Sequence, residues 1–211
     1  MLPAQNMLEG HEYVDLGLTT KGDKPIYWAT CNVGAEQPEE SGAYFFWGDP
    51  MGFVYTALFE WVSYKWYDES TMSLTKYCYN ADFGKTDKRK VLEPDDDAAH
   101  MKWGGAWRMP TASELNALVT KCTWTWSELN GVNGYVVTGK NGNSIFLPAA
   151  GYRIGVYQYE TNNAGGYWTS SLSMDTDPNN ALYLFFVQDK VSRMNVERYV
   201  GLTVRAVCVA E

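Results

Sequence analysis

The sequence predicts an α+β domain in which helices pack on antiparallel sheets, and two observations lead to this fold class. Residues 111–121 have the clearest helix signal in the chain. Thr111 or Ser113 can cap its N-terminus, and Glu114 stands at the capping-box position relative to Thr111. After Cys122, apolar residues recur at every second position between Asn-Gly turns, which is typical of strands. Since one helix face is apolar, we expect it to pack on that sheet.

Strands are predicted on both sides of this helix. Residues 11–18 alternate between apolar and polar side chains, and residues 26–31 are their expected hairpin partner. Residues 135–138 and 144–147 flank Asn-Gly, a strong hairpin signal. In residues 182–187 both alternating sets are apolar or aromatic, so both faces of this strand should be covered.

Three segments lack a clear period. Residues 1–10 are interpreted as a loose leader, followed by a single domain over residues 11–211. Residues 49–93 are rich in Tyr, Trp and Lys and are interpreted as an irregular insertion. Residues 157–166 are interpreted as an aromatic loop rich in Asn and Gly.

Composition excludes some classes of partner. The net charge is −8 and the pI is about 4.8, whereas nucleic acids and anionic membranes require a basic surface. No apolar run is long enough to predict membrane insertion. Aromatic residues make up 15% of the chain, with 9 Trp, 15 Tyr and 8 Phe. We expect most of them in the core and some at a surface that contacts a partner.

The chain has no recognisable catalytic or metal-binding motif. Its cysteines are Cys31, Cys78, Cys122 and Cys208. They form no CxxC pair, which disfavours zinc, and in an exported protein they permit two disulfides with three possible connectivities. His11 and His100 lack a Ser, Cys or Asp neighbour at a telling spacing. We therefore expect no enzymatic activity, no cofactor and no metal.

Two groups of charged residues have structural interpretations. Glu93, followed by Pro94 and residues 95–97, could supply calcium ligands, but an acidic helix N-terminus is favoured. Arg108 and Arg205 lie next to apolar residues, and a buried arginine requires a carboxylate partner. The prediction is a buried pair between Arg205 and Glu114, or another acid of the helix, which joins the last strand to the helix.

The best candidate for a binding surface lies late in the chain. Residues 157–199 contain Tyr, Asn and charged residues in predicted turns and strand ends, and loops on a rigid sheet commonly form recognition sites. The predicted ligand-binding residues are Tyr157, Tyr159, Asn163, Asp175, Asn179, Arg193, Asn195 and Tyr199.

A series of motifs in fixed order resembles a known family. The motifs are residues 13–18 (YVDLGL), 28–35 (WATCNVGA), 44–48 (YFFWG), 103–111 (WGGAWRMPT), 131–135 (GVNGY), 145–153 (IFLPAAGYR), 167–171 (YWTSS) and 204–207 (VRAV). Together they resemble the Fibrobacter succinogenes major paralogous domain family over residues 10–208. The resemblance implies a C-type-lectin-like fold, with two helices packed on twisted antiparallel sheets. It also implies an exported, often lipid-anchored protein whose anchor lies outside this sequence.

The expected function is therefore that of a secreted or cell-surface, adhesin-like domain that recognises a glycan or a protein through its late loops. The fold is shared with formylglycine-generating enzymes, which is one alternative. That branch requires a pair of cysteines near the C-terminus, and only Cys208 lies there; its Arg-Leu-Pro-Thr-Glu motif reads RMPTA at residues 108–112. A second alternative is a pilus or surface-assembly subunit whose interface is residues 51–79.

Overall fold

A computed structural model describes residues 6–53, 57–175 and 177–209, and its architecture is α+β, as predicted. The strands, in chain order, are β1 (Asn6–Leu8), β2 (His11–Thr19), β3 (Pro25–Ala29), β4 (Tyr67–Asp68), β5 (Ser73–Cys78), β6 (Gly84–Thr86), β7 (Thr123–Leu129), β8 (Val132–Thr138), β9 (Ser144–Pro148), β10 (Tyr152–Ile154), β11 (Tyr157–Tyr159), β12 (Ala164–Leu172), β13 (Asn180–Val187), β14 (Lys190–Glu197) and β15 (Val207–Val209). The α-helices are α1 (Ala98–Trp103) and α2 (Ala112–Lys121), and short 3₁₀ turns span Trp61–Ser63 and Pro94–Asp96.

The strands form five small sheets within the described part of the chain. Their orders are β1-β2-β3-β15, β4-β5-β6, β7-β8-β9, β10-β11 and β12-β13-β14. All pairs are antiparallel except β5 with β6. The predicted β2-β3 and β8-β9 hairpins are confirmed. Because β15 pairs with β3, the first and last strands belong to one sheet.

Three segments differ from the sequence-based interpretation. The leader interpretation does not hold for residues 6–8, which pair with β2; residues 1–5 lie outside the described residues. The segment 157–166 is not a loop, since it contains β11 and the start of β12. The insertion at 49–93 is partly regular, because it contains the β4-β5-β6 sheet.

The aromatic residues of the insertion mainly pack inward. Phe59 and Tyr64 are buried against Tyr44 and Phe46 of the preceding segment. Tyr77 is also buried, and its hydroxyl donates to the carboxylate of Asp96 at 2.6 Å. These rings therefore anchor the insertion to the body of the domain.

Helix α2 begins as predicted. The Thr111 hydroxyl accepts a hydrogen bond from the Glu114 amide, and the Glu114 carboxylate accepts one from the Thr111 amide, which completes a capping box. The helix then buries Leu115 and Leu118 in a cluster with Trp28 and with residues of β12 and β13. This packing makes the β12-β13-β14 sheet one wall of the core.

The predicted Arg205–Glu114 pair is wrong. Glu114 binds Arg108 instead, through contacts of 2.6 and 2.8 Å from the two guanidinium nitrogens to the two carboxylate oxygens. Arg205 is fully buried, but it donates to the Asn32 side chain and to the carbonyls of Ala29, Thr30 and Phe146. Carbonyl oxygens thus satisfy a buried arginine where an acid was expected.

The Arg108–Glu114 contact should make stability pH-dependent. Burial by itself would raise the pKa of Glu114, but the hydrogen bonds and charge of Arg108, together with Thr111, lower it below its ordinary value of 4.5. A carboxyl with a lowered folded-state pKa stabilises the fold above its unfolded pKa, and this contribution is lost as pH falls through the folded-state pKa.

We therefore expect Glu114→Gln to lower the free energy of unfolding by about 1–2 kcal/mol at pH 7, since the Arg108 side chain is about one third exposed. The difference from wild type should shrink as the pH falls below 4.5. Urea unfolding at several pH values measures both effects. Glu128→Gln, at an exposed position on β7, is the matched control. A deficit that is equal at pH 7 and pH 3 would contradict the pair's role.

The acidic segment at 93–97 begins a helix, which is the interpretation that the sequence favours. Asp97 caps α1 by accepting hydrogen bonds from the amides of Ala99 and His100. Asp96 is buried and binds the amines of Lys65 and Lys76 at 3.2 and 2.5 Å. The two carboxylates therefore have separate structural partners.

Candidate functional site

The eight predicted binding residues do not converge on one place. Arg193 and Asn195 lie within β14 and not in a turn. Tyr157 and Tyr159 lie on β11, and Tyr199 lies beyond the end of β14. The remaining three, Asn163, Asp175 and Asn179, lie in turns, as predicted.

The pairing of β13 with β14 divides these residues between two faces of one sheet. Leu184 is opposite Arg193, and Tyr183 is opposite Met194. Residues directly opposite each other in an antiparallel pair project to the same face. Leu184 packs in the core cluster under α2, so Arg193 is on the α2 side. Asn195, two residues further on, shares that side, whereas Tyr183 projects to the other.

The polar residues where β13 begins and β14 ends bond mainly to one another. The Asn195 side chain donates to the Asp175 carboxylate at 2.8 Å, and the Asn180 side chain donates to Asn195 at 3.4 Å. The Tyr79 hydroxyl donates to the Asp175 carbonyl. Asn163 is exposed, and its amide donates to the Glu160 carbonyl. These contacts are those of ordinary turns and strand ends.

Tyr199 is a half-buried packing residue. Its ring makes an edge contact with Trp61 of the insertion, with ring centroids 5.2 Å apart. Burial, followed by the carboxylates of Glu197 and Glu60, raises the pKa of Tyr199 to about 12. The residue therefore joins the insertion to the end of β14, and two acids flank its hydroxyl.

An open groove of about 290 Å³ lies on the other face of the β12-β13-β14 sheet. The β10-β11 hairpin and residues 200–202 border it. Its lining residues are Tyr152, Ile154, Gly166, Tyr183, Phe185, Val196, Val200 and Leu202. We call this feature the apolar groove.

The hairpin presents its aromatic face on this side of the molecule. Tyr152 pairs with Tyr159 and Ile154 with Tyr157, so these four side chains share one face. The rings of Tyr152 and Tyr159 stack with centroids 5.6 Å apart. Arg153 is on the opposite face, stacked over a buried tyrosine of the core.

The groove floor is fixed by close packing. Gly166 packs closely there, because a Cβ at this position would lie 2.8 Å from the side chain of buried Leu202 and one of the two would have to shift. The Tyr183 ring makes an edge contact with buried Trp168, with centroids 6.0 Å apart. The floor is therefore held by the core, as a preformed binding surface requires.

The groove contains few polar groups. Burial, and then the nearby Tyr152, raises the pKa of the Tyr183 hydroxyl. Within residues 6–53, 57–175 and 177–209, neither the Tyr152 nor the Tyr183 hydroxyl has a hydrogen-bond partner. The groove thus combines apolar walls with two phenolic groups that can bond to a ligand.

Exposed apolar residues lie on the hairpin and on the part of the insertion that pairs with it. The backbone of Phe59 pairs with that of Gly155, which places the insertion beside the hairpin tip. The exposed apolar residues of the hairpin and of residues 58–63 of the insertion are Leu58, Val62, Ile154, Val156, Tyr157 and Tyr159. We call them the apolar patch. Val156 and Tyr157 are 65% and 67% exposed, which is uncommon for neighbouring large apolar side chains.

Sequence reasoning missed the groove residues, although one signal pointed to them. Tyr183 and Phe185 alternate with Leu184 and Phe186, so both faces of β13 were expected to be covered. The structure leaves one face partly open. Of the predicted site residues, Tyr157 and Tyr159 lie beside this opening, on the face of the hairpin that they share with Tyr152 and Ile154.

The cysteines do not form a reactive pair in the described part of the chain. All four are free; Cys78 and Cys208 are buried, and Cys31 and Cys122 are half-buried. Cys31 lines a separate groove of about 430 Å³ together with His11, in which no other cysteine of the described residues takes part. Burial raises the pKa of the Cys31 thiol, which is opposite to what a nucleophilic thiolate requires.

Among the described residues there is neither a cluster of metal ligands nor a membrane-spanning helix. The described residues contain no group of three or more His, Cys, Asp or Glu side chains arranged to hold a metal ion. They also contain no helix of sufficient length and hydrophobicity to cross a bilayer. Comparisons with protein-family models, curated proteins and solved structures found no match to this chain.

Proposed function

We propose that this chain is a non-catalytic, adhesin-like binding domain of a secreted or cell-surface protein, and that its ligand binds in the apolar groove. The observation that supports this most strongly is the groove itself, which lies open beside an exposed apolar patch. Exposed apolar side chains concentrated beside a groove are typical of binding surfaces. This proposal moves the site from the late turns to the opposite face of the same sheet.

The shape and rigidity of the groove support a binding role. Its volume approaches the range of small-ligand sites, and its floor is packed on buried Trp168 and Leu202. Aromatic side chains such as Tyr152 and Phe185 supply large contact areas at low entropic cost. A ligand that covered them would remove apolar surface from water, which is the main source of binding energy.

The residues around the groove favour binding over catalysis. Its lining has no acid, histidine, lysine or cysteine, and its titratable groups are the hydroxyls of Tyr152 and Tyr183. Burial raises the pKa of Tyr183, which makes its hydroxyl a poorer general base at neutral pH. The C-type-lectin-like fold, the surface location and the lipid anchor remain proposals that rest on the motif resemblance. The α+β architecture is consistent with that fold.

Ile154→Asp tests the proposed site, because it places a charge at the groove edge at a side chain that is 36% exposed. We expect binding to fall at least tenfold, or about 1.4 kcal/mol, with unchanged thermal stability. Glycan and surface-protein arrays probed with the wild-type domain provide the ligand, and titration of each variant gives the affinity.

Val91→Asp is the matched control, because Val91 is 47% exposed and does not line the groove. It should bind as wild type does. A ligand that binds Ile154→Asp with unchanged affinity, or the absence of any ligand on both arrays, would contradict the proposed function.

A further inference from the structure

We infer that the ligand of the apolar groove is a protein segment that inserts an apolar anchor side chain and flanks it with basic residues. The inference rests on the proposed function, because it takes the groove as the binding site. Three features of the surface lead to it: the chemistry of the lining, the extent of the apolar patch and the charges at its rim.

The lining suits an apolar side chain better than a sugar. Six of its eight residues, all except Tyr152 and Tyr183, have no hydrogen-bonding side-chain group. A sugar ring carries hydroxyl groups around its edge, and those that lose water without gaining a partner weaken binding. An aliphatic or aromatic side chain has no such requirement. Its backbone or a terminal polar atom can still bond to the two phenolic hydroxyls.

The apolar patch adds exposed side chains on the hairpin and on the paired segment of the insertion to those that line the groove. Val62 is 54% exposed on the 3₁₀ turn of the insertion, and Tyr157 is 67% exposed on the hairpin. Protein interfaces typically have such an apolar, aromatic centre with a polar rim. Burying an anchor in a central pocket is also the usual source of their affinity.

The rim of this surface is acidic. Exposed Glu60 approaches the hairpin tip, since a Cβ on Gly155 would lie 3.5 Å from its carboxylate. Exposed Glu160 directly follows the patch residue Tyr159. The nearby cation Arg153 is on the opposite face of the hairpin, where it bonds to Gln158 at 3.2 Å.

Charge complementarity therefore calls for a basic partner. A second copy of this chain is a poor occupant, because a two-fold contact would bring the same glutamates together and the whole chain has a net charge of −8. A different protein with lysine or arginine beside an aromatic or aliphatic residue satisfies both the groove and its rim.

Isoleucine methyl signals can report on the groove directly, because the chain has only three isoleucines and their signals are easily separated. Ile154 lines the groove, whereas Ile26 and Ile145 are buried in the core and serve as internal controls. Methyl NMR spectra of isoleucine-labelled protein would be recorded with four probes. These are the peptides acetyl-KKWKK-amide, acetyl-EEWEE-amide and acetyl-KKAKK-amide, and an equimolar mixture of cellohexaose and maltohexaose.

We expect the KKWKK peptide to shift the Ile154 methyl signal saturably, with Ile26 and Ile145 unchanged. The EEWEE and KKAKK peptides should bind at least tenfold more weakly. The charge-reversal variant Glu60→Lys/Glu160→Lys, altered only at exposed positions, should weaken KKWKK binding and strengthen EEWEE binding.

The other outcomes contradict the inference alone, or the inference and the proposed function together. Equal binding of KKWKK and KKAKK, or stronger binding of EEWEE, would overturn the inference. A shift of Ile154 by the oligosaccharides and not by KKWKK would also overturn it, but would leave the groove as a glycan site and the proposed function intact. No shift of Ile154 with any probe would contradict both.

Discussion

Replacing Arg205 by lysine should lower the free energy of unfolding by about 3 kcal/mol or more. The guanidinium of Arg205 bonds to Asn32 and to three backbone carbonyls, at distances between 2.6 and 3.0 Å. An ammonium group cannot reach acceptors spread over the planar fork of an arginine. The variant would therefore leave buried carbonyls unpaired and a buried charge poorly solvated.

Urea unfolding at pH 7 measures this effect, and Arg193→Lys on exposed β14 is the matched control. The control should unfold within about 0.5 kcal/mol of wild type. If Arg205→Lys is as stable as wild type, the hydrogen bonds from Arg205 to these carbonyls do not stabilise the protein in solution.

Replacing Arg198 by methionine should have a comparable effect on a different part of the molecule. Arg198 is fully buried, stacks over Trp47 and donates to the carbonyls of Lys76, Tyr77 and Pro178. Methionine has a similar volume but no donor, so these carbonyls lose their partner. We expect a loss of about 3 kcal/mol.

The loss should be concentrated in the insertion, because Arg198 bonds it to the turn before β13. Limited proteolysis under native conditions should cut Arg198→Met within residues 57–90 well before it cuts wild type. Arg89→Met is the control, since Arg89 is largely exposed and pairs with Asp87 and Glu93 on the surface. Equal cleavage of the two variants would show that Arg198 does not secure the insertion.

Local signals predicted the fold well where a few neighbouring residues determine the structure. The Thr111–Glu114 capping box is one example, because both partners lie within one helical turn. The hairpin of β8 and β9 is another, because an Asn-Gly turn fixes its register. Residues 6–8 were missed because a three-residue strand has too few positions to show a period.

The partners of the buried arginines could not be predicted in this way. Arg205 bonds to carbonyls near residues 29–30 and at residue 146, which are distant in sequence, and a backbone carbonyl has no sequence signature. Glu114 looked like the natural partner because it is an acid on a buried helix. Arg108 is nearer along the chain, and it forms the ion pair with Glu114 instead.

The sequence predicted only part of the groove. Alternation in residues 182–187 indicated that β13 has two apolar faces, but it could not show which face stays open. That depends on where the β10-β11 hairpin lies, and the sequence of segment 157–166 predicts a loop instead of a strand. The Asn and Tyr content of the late segment drew attention to Arg193 and Asn195, which project from the opposite face.

The most direct test of the proposed binding site compares the two faces of this sheet. The dissociation constant of the array ligand would be measured by calorimetry for wild type, Ile154→Asp and Arg193→Ala. Both altered positions are exposed, so folding should be preserved. The groove predicts at least tenfold weaker binding for Ile154→Asp and a change of less than twofold for Arg193→Ala. Weaker binding for Arg193→Ala with an unchanged Ile154→Asp variant would place the site on the α2 face and contradict the account.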